Sequence, residues 1–150
     1  MSVTALHQVV HSFFQAEREA DQDLLLGLQV VQAFAAGERL FAAGEDADSL
    51  HLVLKGCFAV HKPIGLGSRS QVVALLEAGT VIGEAAIVAG RRRCSTVIAT
   101  DDSVVASFSR DALLKIEAIA PALYLVFVKK ILSITSLRLQ KSSDRLALVL

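Results

Sequence analysis

The segment richest in chemistry runs Val81-Ile82-Gly83-Glu84-Ala85-Ala86-Ile87-Val88-Ala89-Gly90-Arg91-Arg92-Arg93-Cys94-Ser95-Thr96-Val97. It joins a turn glycine, a carboxylate, one turn of small helix-forming residues, an arginine cluster and a return to strand. These residue types in this order suit a small anion. Backbone N–H groups at the start of a short helix point outward and favour negative charge. A guanidinium holds two phosphate oxygens at once. A phosphate would repel Glu84, so its carboxylate has a different task. An ionised carboxylate only accepts hydrogen bonds, which fits a ligand hydroxyl such as a ribose 2′-OH. Anion and hydroxyl on one small ligand point to a nucleotide.

The elements around this segment are short and β-rich from about Gln29 to Ser109. Runs at Val30–Phe34, Arg39–Phe41, Leu50–Leu54, Cys57–Lys62, Gln71–Leu76, Ser95–Ala99 and Val104–Phe108 are separated by turn residues, among them Gly37, Gly44-Glu45-Asp46 and a Pro63/Gly65/Gly67/Ser68 loop. Many short strands at this spacing predict an all-β barrel or jelly roll. A turn at Lys55-Gly56 predicts a hairpin. Leu50, Leu52 and Leu54 then share a face opposed by Phe58 and Val60, and His51, Val53, Ala59 and His61 lie on the other.

Helical periodicity flanks the strands. Leu6, Val9, Val10, Phe13 and Phe14 recur on one face from Thr4 onward, Glu17 to Asp23 reads as a solvated acidic turn, and Leu24 to Leu28 as a second short helix. Ser109 is a good N-cap for a helix from Arg110 to about Ile119, and Pro121 suits the first turn of a long final helix. Along that helix Leu125, Val128, Leu132, Thr135, Leu139, Ser142, Leu146 and Val149 alternate spacings of three and four, a heptad seam. Tyr124, Phe127, Ile131 and Ile134 form a second stripe. Two stripes want two neighbours: the strands of the same chain, and the same helix of a second subunit. The expected partner is therefore a homodimer through residues 125–149.

Composition excludes several classes. The 150 residues are 53% hydrophobic and 20% charged with two Pro, which is neither disordered nor low-complexity. Fifteen Lys/Arg balance fifteen Asp/Glu, so overall charge advertises no nucleic acid. The halves differ: residues 1–90 carry five basic and ten acidic side chains, residues 91–150 ten and five. No apolar run is long enough to span a bilayer, and Met1-Ser2-Val3-Thr4-Ala5-Leu6-His7 lacks a basic secretory n-region. Cys57 and Cys94 suit a reduced chain without a disulfide framework, so the expected location is cytoplasmic. No Ser/His/Asp or Cys/His nucleophile arrangement is specific. His7 and His11, four apart on a helix, lack a third metal ligand, and His51 and His61 are expected at the surface. A cupin-like metal enzyme is the weakest alternative, and neither a metal nor a cofactor is expected.

With these motifs in order, the chain resembles the cyclic nucleotide-binding domain family, of the catabolite activator protein and protein kinase A regulatory subunit type. Gly83-Glu84-Ala85-Ala86-Ile87 resembles the first half of its phosphate cassette, and Arg93-Cys94-Ser95-Thr96-Val97 the second. Gly44 with Asp48-Ser49-Leu50-His51-Leu52-Val53-Leu54-Lys55-Gly56, and Leu76-Glu77-Ala78-Gly79-Thr80-Val81-Ile82-Gly83-Glu84, resemble its glycine framework, so the likeness spans roughly Leu28 to Pro121. It implies a mainly β fold, an eight-stranded β-roll with N-terminal helices and a C-terminal helix pair ending in a long helix. The chain then reads as one domain over 1–150: N-terminal helices 1–28, roll 29–109, C-terminal helices 110–150.

The resemblance also implies the site. Ligand-binding residues are Gly83, Glu84, Ala85, Arg93, Cys94 and Ser95, with the phosphate on Arg93 and the cassette backbone and the 2′-OH on Glu84. Arg91 and Arg92 read as solvated charge. Ile82 stands where an aromatic is common and keeps an apolar plug. Cys94 stands where a Thr accompanies guanine preference in some members, so the ligand is expected to be cyclic AMP rather than cyclic GMP. The family's base-contacting pair, counted from the shared proline, falls on Arg138 and Leu139; base contacts are expected about one turn earlier, from Ile131, Ile134 and Thr135. The implied function is a non-catalytic sensor that couples ligand binding to movement of the final helix and acts on a downstream effector. The second alternative is a binding-dead dimerisation scaffold. No helix-turn-helix follows before Leu150, so a stand-alone sensor or the sensory part of a larger chain is expected.

Overall fold

A computed structural model describes residues 2–150; Met1, the first residue of the opening segment read above, lies outside the described residues. The chain opens with α1 (Val3–Phe14) and α2 (Glu19–Leu28). Eight strands follow: β1 (Val30–Phe34), β2 (Arg39–Phe41), β3 (Ser49–Lys55), β4 (Cys57–Pro63), β5 (Ser70–Glu77), β6 (Val81–Ile82), β7 (Thr96–Ala99) and β8 (Ser103–Ser109), with a 3-10 turn at Glu84–Ile87 between β6 and β7. The chain closes with α3 (Arg110–Ile119) and α4 (Pro121–Val149).

The strands form two antiparallel four-stranded sheets, ordered β1-β8-β3-β6 and β2-β7-β4-β5. This is the mainly β roll with flanking helices that the sequence implies. Local chemistry sets the helix ends. Ser2 Oγ accepts from Ala5 N at 3.2 Å to start α1, and Ser109 Oγ accepts from Ala112 N at 3.1 Å to start α3. The acidic run expected to be a turn is instead mostly helical. Glu19 and Asp21 lie in the first turn of α2, where the helix dipole favours negative charge.

The expected β3–β4 hairpin does not form, because the two strands belong to different sheets. Gly56, at φ 90°, carries the chain from one sheet to the other, and a Cβ there would overlap the Ser103 side chain. Strand β3 is therefore covered on both faces. Leu50, Leu52 and Leu54 point to the helices and pack with Val10, Phe13, Phe14, Phe108, Leu113, Ile116 and Phe127. Val53 points into the roll and packs with Phe41, Phe58, Ile82, Val97 and Val105. Phe58 consequently meets Val53 rather than the three leucines. His51 shares the inner face and is buried, not exposed as expected from a two-stranded hairpin.

Helix α4 anchors on this core. Phe127 stacks on Phe14, ring centroids 4.5 Å apart and planes within 6°. Of the two α4 stripes, Phe127 and Ile131 are buried and Tyr124 and Ile134 are partly so. The seam faces outward: Leu125, Leu132, Leu139 and Leu146 are each more than half exposed. Among the described residues no helix is long and apolar enough to cross a membrane.

Candidate functional site

A cavity of about 1260 Å³ opens between the second sheet, the segment 83–95 and the inner side of α4. Gly83, Glu84, Ala85, Arg93, Cys94 and Ser95 all line it. Strand β6 ends against β3, through the register pairs His51↔Ile82 and Leu52↔Val81, and delivers Gly83 at φ 79°. A side chain at residue 83 would be strained at that φ and would overlap Arg93 Nη1, so only glycine serves here. The 3-10 turn that follows is one turn long, with Ala86 N donating to Gly83 O at 3.1 Å.

Arg93 reaches the site from the other end of the segment. Its backbone is pinned twice, Arg93 N to Glu45 O at 2.8 Å and Gly44 N to Arg93 O at 2.9 Å. Its side chain is only 3% exposed. Nη2 donates to Ser49 O at 2.6 Å, Nη1 to Gly83 O at 3.4 Å, and the guanidinium lies over the Phe41 ring, 4.0 Å from its centroid. Asp48 Oδ1 stands 3.9 Å from Nη2, and buried Nε has no partner among the described residues. Burial pushes the Arg93 pKa down, while Asp48, Glu45 and Glu84 oppose the shift. An arginine titrates so high that it stays charged.

A polar chain backs this arginine. His51 Nδ1 lies 2.7 Å from Ser107 Oγ, which donates to Gln32 Oε1 at 3.0 Å. On its other side His51 Nε2 lies 3.3 Å from Ser49 Oγ, which Arg93 Nη2 also approaches, at 3.4 Å. Burial, and then the Arg93 charge, push the His51 pKa down to about 4 against the pull of Asp48. The imidazole is therefore neutral at pH 7 beside the guanidinium.

Helix α4 closes the cavity with one of the three residues expected at the base and with several others. Ile134 lines the cavity, but Ile131 is buried in the core beneath the helices, and Thr135 Oγ1 turns back to Ile131 O and Leu132 O. Leu137, Arg138, Lys141, Ser142 and Arg145 line it instead. Arg138 Nη2 donates to Thr80 Oγ1 and Val81 O, both at 2.8 Å, and Nη1 stands 3.6 Å from Glu84 Oε1. Arg138 is the position on which the family's base-contacting pair falls when counted from Pro121; Lys141 and Arg145, at helical spacing from it, were legible in principle, but the apolar seam beside them dominates the pattern. Arg110 was also missed: from the first turn of α3 its side chain donates to Ala86 O at 3.2 Å and to Ala47 O, tying the 3-10 turn to the hinge before α4. Arg91 and Arg92 are exposed at the rim, and Arg92 pairs with Asp46 at 3.2 Å. Among the described residues no group of three or more His, Cys, Asp and Glu could hold a metal ion.

A two-sheet roll with a glycine-carboxylate turn and a buried arginine in one cavity under a C-terminal helix defines a ligand-binding regulatory fold. The sequence model of the cyclic nucleotide-binding domain family matches residues 31–118, and the chain belongs to that family. Such domains are regulatory and non-catalytic, with cyclic AMP or cyclic GMP as ligand. Among solved structures, the chain is similar to a cyclic nucleotide-binding domain from Methylobacillus flagellatus KT: 25% identity, TM-score 0.81, covering 93% of this chain and 81% of that one. It shares its fold with the regulatory domain of Toxoplasma gondii PKA, solved with cAMP: 20% identity, TM-score 0.68, covering 87% of this chain and 49% of that one. It is also 29% identical over 101 residues to a cGMP-dependent protein kinase of Eimeria tenella. That match covers 67% of this chain, and the chain spans only 10% of the kinase's length.

Proposed function

We propose that residues 1–150 act as one sensory unit that binds a cyclic mononucleotide, cyclic AMP in preference to cyclic GMP, and converts occupancy into a position of α4. The observation that carries this reading is the meeting of Arg93 with the Gly83-Glu84 turn in a cavity that α4 closes. The cyclic phosphate takes the Arg93 guanidinium and the N–H groups at Glu84 and Ala85, beside Cys94 and Ser95. The ribose 2′-OH donates to Glu84, and the base projects towards Ile134. Arg110 and Arg138 tie the cassette to the C-terminal helices, so they carry the coupling. A ligand moves that equilibrium only as far as its affinities for the two helix positions differ.

The exposed leucine seam of α4 supports a homodimer through residues 125–149. Output then passes to an effector, in the cytoplasm, without turnover of the ligand. Titration calorimetry with cyclic AMP and cyclic GMP tests the site. Arg93→Ala removes the buried cation facing the phosphate and is expected to cost about 2–5 kcal/mol of binding. Unchanged affinity in Arg93→Ala sinks the assignment, and no binding by the wild type leaves the dimerisation scaffold as the better reading.

A further inference from the structure

We propose that the inner face of α4 carries a second anion subsite, built from Lys141 and Arg145, that takes a second phosphoryl group of a nucleotide. The proposal rests on the nucleotide site above and narrows its ligand. The cavity is lined by six cationic side chains, Arg91, Arg92, Arg93, Arg138, Lys141 and Arg145, against two carboxylates, Glu77 and Glu84. Three of the six have a carboxylate partner: Arg92 with Asp46 at 3.2 Å, Arg93 with Asp48 at 3.9 Å and Arg138 with Glu84 at 3.6 Å. Among the described residues Arg91, Lys141 and Arg145 have none within ion-pair distance; Arg145 Nη1 donates only to the Val73 carbonyl, at 3.2 Å. A cyclic mononucleotide brings one negative charge, and Arg93 is there to meet it. Lys141 and Arg145 on α4 are left unmatched.

Their placement gives the charge its meaning. Lysine and arginine on a helix ordinarily face water, and leucine faces the fold. Here Arg138, Lys141 and Arg145 line the open cavity, Lys141 and Arg145 at its water-exposed mouth, while Leu132, Leu139 and Leu146 lie exposed outside it. Like charges at this helical spacing repel one another, and an anion between them and the cassette relieves that repulsion. The cavity also has room to spare. Its volume of about 1260 Å³ exceeds the roughly 300–1,000 Å³ usual for a small-molecule site. Lys141 and Arg145 lie about 5 and 10 Å further along the helix axis than Arg138, so the second phosphate sits towards Val73 on β5, away from Glu84. Cyclic dinucleotides and linear nucleoside polyphosphates share this chemistry.

Calorimetry on the whole chain at fixed salt, with cyclic AMP, cyclic GMP, cyclic di-AMP, cyclic di-GMP, ATP and GTP, tests the subsite. At least one of the four ligands with a second phosphate is expected to bind about tenfold or more tightly than either cyclic mononucleotide, the gain of one charge-assisted contact. Whether a cyclic or a linear ligand wins identifies the source. The double variant Lys141→Gln/Arg145→Gln should erase that advantage while lowering cyclic AMP and cyclic GMP affinity by a much smaller factor, since Arg93 still meets their single phosphate. Both side chains are exposed, so thermal unfolding of the unliganded variant should match wild type. Mononucleotides that bind as tightly as every ligand with a second phosphate, or an advantage that survives the double variant, overturn the subsite and leave the nucleotide site standing. Failure of all six ligands to bind overturns both.

Discussion

Acidification should weaken this fold through one side chain, His51. The imidazole lies on the inner face of β3, against Ser107, Ser49 and the Arg93 guanidinium, with Asp48 as the opposing charge. Burial and Arg93 hold its pKa near 4 in the folded protein, against an ordinary 6.5. The unfolded chain therefore binds the proton first. Stability from the neutral imidazole is complete above pH 6.5, declines as pH falls below it, and levels off only below about pH 4. The two pKa values give a loss of about 3 kcal/mol by pH 4, at up to roughly 1.4 kcal/mol per pH unit. Several carboxylates titrate in the same range, so the comparison is with His51→Gln, which keeps hydrogen-bonding atoms towards Ser107 and cannot charge. Urea unfolding followed by circular dichroism from pH 4.5 to 7.5 reads both proteins. Wild type should lose more stability than His51→Gln, with the difference opening below pH 6.5. Parallel pH profiles for the two proteins would refute the burial argument and the place of His51 in the Arg93 network.

Three further outcomes follow from packing and coupling. Phe127→Ala removes a fully buried ring stacked on Phe14 and should cost about 3–5 kcal/mol in chemical unfolding; a loss below 1 kcal/mol would mean that α4 does not dock there. Lys at both Leu132 and Leu139, 64% and 69% exposed in one chain, would bury unpaired charge in a helix-to-helix dimer and should yield monomers in sedimentation; a wild-type protein that is monomeric at high concentration ends the dimer proposal. Hydrogen exchange with and without cyclic AMP should change over residues 110–140 as well as 83–97. Protection confined to 83–97 leaves a site without a switch.

The sequence by itself determined the parts whose signals are local. Ser109 and Pro121 marked the starts of α3 and α4 because capping and proline geometry act within one turn. Alternation and turn glycines marked the strands for the same reason, and the ordered Gly83-Glu84 and Arg93 motifs identified the family. Tertiary structure decided which surfaces meet. Period-two alternation shows that Leu50 and His51 face opposite ways, but not that helices cover one face of β3 and the roll covers the other, so His51 became a buried neighbour of Arg93. The step at Gly56 could not be told from a hairpin, because a positive-φ glycine serves both and only distant Ser103 shows where the chain goes. On α4 the periodicity separated two apolar stripes correctly, yet which one docks depends on Phe14 and Phe13, more than a hundred residues away. Counting from Pro121 marked Arg138, but nothing in one dimension sets Lys141 and Arg145 apart from the other charges of α4. All three become cavity residues because α4 runs past β5 and β6, where Arg138 donates to Val81 O and Arg145 to Val73 O.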